Sequence, residues 1–154
     1  MHVIVTTDGS RASLVGARQL RWIADSREVT DVTVLAVVSP YSAVPFANEL
    51  DGSEPVDLTA LSFTREAQRA VELVAAEFDG WGPAIRTEVR SGSPAQEIVR
   101  AAEDLDADLI SMAAGGRGLS RTILLGSTAS RVQHSAPCPV LVTRPTVRSE
   151  RVTG

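Results

Sequence analysis

Val32-Thr33-Val34-Leu35-Ala36-Val37-Val38 is a nearly unbroken run of apolar and β-branched residues. A strand that alternates apolar and polar residues has one wet face, whereas a continuous run belongs to a strand covered on both faces, the mark of a parallel sheet. Reading outward, Val3 to Thr7 is a shorter run of the same kind that ends at Asp8-Gly9-Ser10, a turn followed by a helix cap. Gly16, Ala17, Leu20, Ile23 and Ala24 recur at helical spacing, predicting a helix over Arg11 to Ser26.

On the carboxyl side, Ser39 to Asp57 holds three prolines, one glycine and four acids. Without periodicity it reads as a long, mobile surface loop. A second helical stripe follows: Phe63, Ala67, Ala70, Val71, Val74 and Phe78, closed by Gly80-Trp81-Gly82-Pro83. Ile85 to Arg90 alternates, as an edge strand does. Ser93-Pro94-Ala95-Gln96 then predicts a capped helix start with proline at its first position and a reciprocal cap, burying Ala95, Ile98, Val99, Ala102 and Leu105. Asp108 to Met112 is a fourth strand, Ser127 to Ser135 a short helix, and Val140 to Thr143 a fifth strand. Strand–helix alternation with right-handed crossovers gives an α/β fold, a doubly wound parallel sheet with helices on both faces. The expected organisation is one domain over residues 1–144 and a polar tail over 145–154.

The 154 residues suffice for a core without disulfides or metals, and 44% hydrophobic with 22% charged residues excludes a disordered chain. No apolar run approaches the length of a membrane span, and the start, Met1-His2-Val3-Ile4, lacks the pattern of a signal peptide. A net charge of −4 argues against nucleic acid as a partner. All 15 basic residues are arginine. Without lysine there is no Walker-type phosphate ligand and no Schiff-base chemistry. Cys138 is the single cysteine, expected to be buried and structural, and with two histidines a zinc cluster is not expected. A cytoplasmic setting follows from the same cysteine usage. His2 and His134 read as packed or solvated side chains, not catalytic bases.

Ligands of such sheets bind at the carboxyl ends of the strands. Two loops there have unusual chemistry: Thr6 to Ser10, and Ala113 to Ser127, which contains Gly116-Arg117-Gly118 and Gly126-Ser127-Thr128. Gly126 precedes a helix, whose free N–H groups favour an anion, and Ser127 and Thr128 add hydroxyls. The bland alternative is a glycine-rich surface loop before an ordinary capped helix.

The chain resembles the universal stress protein family. The resemblance rests on Val3-Ile4-Val5-Thr6-Thr7-Asp8-Gly9-Ser10, Gly92-Ser93-Pro94-Ala95-Gln96-Glu97-Ile98, Ala107 to Met112, Ala136-Pro137-Cys138-Pro139 and Pro139 to Arg144, in that order over nearly the full length. It implies a five-stranded sheet of order 3-2-1-4-5 and a homodimer formed through Val140 to Thr143. One branch of the family binds ATP through a pattern of glycine, two residues, glycine, nine residues, then Gly-Ser or Gly-Thr. Here Gly116, nine residues and Gly126-Ser127 fit, but the first glycine position holds Ala113. By resemblance Asp8, with Thr6, lies near adenine and ribose, Val37 offers backbone to adenine, and Met112 flanks the nucleoside. Gly116, Gly126, Ser127 and Thr128 would hold phosphates, with Arg117 and Arg121 in the same loop. The implied ligand is ATP, alone or with Mg2+, or another adenine nucleotide. The competing reading is a module that has lost nucleotide and works through an unidentified protein partner. An enzyme is not expected: related adenylating folds use a Ser-Gly-Gly-x-Asp-Ser loop where this chain has Thr7-Asp8-Gly9-Ser10.

Overall fold

Val32 to Ala36 are all buried, as a strand covered on both faces requires. A computed structural model describes residues 1–39, 60–115 and 126–145. The described elements run β1 (His2–Thr6), α1 (Arg11–Ile23), β2 (Asp31–Val38), α2 (Ala60–Ala76), β3 (Ala84–Ser91), α3 (Pro94–Asp104), β4 (Leu109–Ala113), α4 (Ser127–Ser135) and β5 (Val140–Thr143). The sheet order is β3-β2-β1-β4-β5, with every pair parallel. The expected fold class and order are both observed. No helix among the described residues is long and apolar enough to cross a membrane.

The sheet divides the core in two. On one face Val3, Val5, Val32, Val34 and Ala36 meet Ala17 and Leu20 of α1 and Ala67, Val71 and Val74 of α2. Phe78, only 1% exposed, joins them after α2 and stacks at a tilt on Trp81, 5.6 Å between ring centroids. Burying a side chain of that size contributes about 2–3 kcal/mol. On the other face Ile4, Leu35, Ile110 and Met112 meet Ala95, Ile98, Ala101 and Ala102 of α3 and Ala129 and Val132 of α4. Of the four α3 residues in that cluster only Ile98 is larger than alanine.

Five expectations are corrected. α1 ends at Ile23, not Ser26, and Ala24 is already extended (φ −86, ψ 143). Ile23 is 60% exposed instead of belonging to the buried stripe. The chain turns there because the Asp25 carboxylate accepts the Arg27 N–H at 3.0 Å, an alternative to helix that aspartate favours. Ser93 caps α3 without a side-chain hydrogen bond, and Val99 and Leu105 are half-buried. Cys138 is half-buried, not fully enclosed. Residues 40–57 of the expected mobile loop, and the tail beyond Pro145, lie outside the described residues.

Candidate functional site

The chain leaves β1 through a turn stapled by short polar side chains. The Thr7 N–H extends the ladder by donating to the Leu35 carbonyl at 2.9 Å. Gly9 follows at φ +77, a conformation that a side chain would strain. The Ser10 N–H donates to Asp8 Oδ1 at 3.0 Å, so Asp8 does form the turn, and its carboxylate stays exposed. Ser10 then caps α1, its Oγ accepting from the Ser13 N–H at 3.3 Å. Beneath the turn the Thr7 and Ser13 hydroxyls are 2.7 Å apart, and Ser13 Oγ also donates to the Ser10 carbonyl at 2.8 Å. Neither Ser13 nor Thr7 by itself carries a motif that points to this network. The spacing Ser10-x-x-Ser13 after a strand-ending threonine is the signal that marks them.

Alternation along the strands places Thr6, Val37 and Met112 on one face of the sheet, toward α3 and α4. All three stand at the carboxyl ends of their strands. Thr6 and Met112 are the next residues on β1 and β4 after the paired Val5 and Ser111. Met112 is buried at 6% exposure, while Thr6 and Val37 are half-buried. Ala113 pairs with Thr143 as the last residue of β4. Asp106 (φ 47) is the one non-glycine at positive φ among the described residues, so alanine at position 113 costs no backbone strain.

The amino end of α4 is brought back to this edge. The Gly126 N–H donates to the Ala114 carbonyl at 2.5 Å, and the Ala114 N–H donates to the Thr143 carbonyl at 2.9 Å. Gly126 is the cap residue (φ −69, ψ 161) and supplies no side-chain acceptor to the first turn. Among the described residues no side chain caps these first-turn N–H groups, a setting that with the helix dipole favours an anion, and an exposed Ser127 and a half-buried Thr128 stand beside them. Gly116, Arg117 and Arg121 lie outside the described residues.

Neither histidine sits at this edge. His2 Nε2 shares a 2.8 Å hydrogen bond with Thr33 Oγ1 at the opposite end of the sheet, and His134 is exposed in the last turn of α4. Burial, with Asp108 nearby, pushes the Cys138 thiol up from its ordinary value, although a backbone hydrogen bond from Ile110 opposes the shift. The thiol is therefore not an activated nucleophile.

The family model described as the universal stress protein family matches residues 1–144. The chain belongs to that family. It is 40% identical over 144 residues to universal stress protein MJ0531 of Methanocaldococcus jannaschii, covering 92% of this chain and 81% of the relative. Matches to further curated universal stress proteins span half of those chains or less. Among solved structures, MJ0577 superposes with a TM-score of 0.74 at 26% identity, over 94% of this chain and 96% of that one. A universal stress protein in complex with cAMP (TM-score 0.63, 21% identity, 95% and 98% covered) shares the fold. So does a family protein of Arabidopsis thaliana with AMP bound (TM-score 0.62, 14% identity, 96% and 94% covered).

Proposed function

We propose that this universal stress protein binds an adenine nucleotide at the carboxyl ends of β1, β2 and β4. It then works as a cytoplasmic regulator or sensor, not as an enzyme. ATP, alone or with Mg2+, is the ligand that the glycine pattern favours. The observation that carries the reading is the amino end of α4, which lacks a side-chain cap and is tied to the exit of β4. Phosphates would take the N–H groups after Gly126 and the hydroxyls of Ser127 and Thr128. The nucleoside would lie over Thr6, Val37 and Met112, with Asp8 at its polar edge. The cAMP and AMP complexes of fold relatives support an adenine ligand.

The working unit is a homodimer paired through β5. The two sheet edges differ: β3 is armed with Arg86–Asp31 and Arg90–Glu88 ion pairs, while Val140, Leu141 and Val142 of β5 are apolar and half-buried. An apolar edge with no further strand beside it among the described residues invites a second copy, and two-fold pairing satisfies it.

Ala113 favours a second reading, in which nucleotide binding has been lost and a protein partner is bound instead. Calorimetric titration with Mg·ATP, AMP and cAMP, together with mass spectrometry of nucleotide released from the purified, denatured protein, separates the two. Absence of heat at millimolar ligand and of any released nucleotide would leave the partner-binding module.

A further inference from the structure

Thr143 ends β5 as a buried polar residue, 4% exposed, after three half-buried apolar ones. Its Oγ1 donates to the Met112 carbonyl at 3.2 Å, and its own carbonyl accepts the Ala114 N–H at 2.9 Å. The Ala114 carbonyl in turn accepts the Gly126 N–H. One residue of the sheet edge thus holds both halves of the proposed site, the end of β4 and the start of α4. On its other side lies α1. A Cβ added at Gly16 would stand 2.5 Å from Thr143 Oγ1, a distance that real Cβ atoms do not tolerate. Threonine is stiff at χ1, so a side chain at position 16 would rotate the hydroxyl away and break its bond to Met112.

We propose that Thr143 is a positioning residue of the nucleotide site: its hydroxyl and carbonyl fix where β4 ends and, through Ala114, where α4 begins. Gly16 keeps the space that the hydroxyl needs. Thr143 touches no ligand in this arrangement. The proposal rests on the nucleotide reading and adds the residue that aligns its two halves.

Three variants test it. Thr143→Val keeps the volume and removes the donor, Thr143→Ser keeps the donor and removes the methyl, and Gly16→Ala displaces the donor from outside. Thr143→Val and Gly16→Ala should weaken Mg·ATP by roughly fivefold, while Thr143→Ser stays within about twofold of the natural protein. Thermal stability should run the other way, with Thr143→Val at or above Thr143→Ser, because the buried methyl is kept. The Gly126 amide should exchange faster in Thr143→Val than in Thr143→Ser. Binding that follows stability, with Ser worse than Val, would make Thr143 a packing residue and overturn the proposal. An unchanged Gly126 amide in Thr143→Val would overturn it also, whatever the nucleotide does. If the natural protein itself binds no adenine nucleotide, the functional reading falls and the proposal falls with it. If the natural protein binds and Thr143→Val binds equally, only the proposal falls.

Discussion

Arg18 of α1 grips both carboxylate oxygens of Glu77, with Nε at 2.7 Å from Oε2 and Nη2 at 3.0 Å from Oε1. Arg21, one turn along, donates to the Glu77 carbonyl at 2.6 Å. Together they tie α1 to the chain just past α2, on the face away from α3 and α4. The hydrogen bond to Glu77 raises the Arg18 pKa, so the guanidinium is held charged at any working pH.

The pair is partly exposed, with side chains 36% and 24% accessible, so it lies nearer a surface ion pair than a buried one. Its two-pronged geometry lifts it toward the upper end of that range. Arg18→Ala should cost about 1 kcal/mol, read as a lower urea midpoint with an unchanged slope. Arg18→Lys should recover only part, since an ammonium cannot reach both oxygens in one plane. A midpoint for Arg18→Ala equal to that of the natural protein would show the contact to be energetically idle.

Which parts of this were legible in the sequence follows from the range of the forces involved. The bounds Ser127–Ser135 and Val140–Thr143 are readable because a glycine, a proline and a change of period mark them locally. The end of α1 is not. Ile23 and Ala24 continue the apolar stripe, and only the Asp25–Arg27 turn stops the helix. At the proposed site, strand–helix order alone points to the carboxyl ends of the strands, while the nucleotide roles proposed for Thr6, Asp8, Val37 and Met112 come from the family resemblance. Thr143 is not readable, since its hydroxyl reaches a carbonyl 31 residues away, and no local pattern reports such a partner. Gly16 reads as one more small residue on a helix until the strand beneath it is known.

Cys138 gives a chemical test of the far end of the sheet. Burial, then the Asp108 carboxylate, raises its folded pKa above the unfolded value. A raised pKa means that the unfolded chain releases the thiol proton first as pH rises. This group's contribution is therefore fully present below the ordinary thiol range and is lost as pH climbs through the folded value. Iodoacetamide should label the native protein more slowly than a free thiol at neutral pH, and denaturant should abolish the difference. Native labelling faster than that of the unfolded chain would contradict an inert, half-buried thiol.

The homodimer proposal depends on a bare edge at β5. Val142 is half-buried and pairs with Met112 on one side only among the described residues. Val142→Lys places a charge on that edge, a device by which sheets resist further pairing. Light scattering coupled to size exclusion should show a dimer for the natural chain and a shift toward the 16.3 kDa monomer for the variant. A natural chain that stays at one monomer mass across concentration would remove β5 as an interface.

Position 113 gives the sharpest test of the nucleotide reading. Because Ala113 sits in extended backbone at the end of β4, its cost is not strain; what it adds to a glycine site is a methyl group at the strand exit. Ala113→Gly should therefore tighten Mg·ATP by about 1 kcal/mol, a factor of roughly five to ten, while lowering fold stability by about 0.5–1 kcal/mol through backbone freedom. Binding and stability move in opposite directions, which no general loosening of the protein would produce. Gly126→Val reverses the pattern. Its φ of −69 and ψ of 161 suit a β-branched residue, so the backbone adds no strain, and a variant whose thermal unfolding shows it folded should lose binding because the side chain keeps phosphate from the first N–H groups of α4. Calorimetry on the natural chain and both variants decides between the readings. Retained affinity in Gly126→Val would remove the amino end of α4 from the phosphate site, and heat from none of the three would leave the protein partner as the ligand to seek.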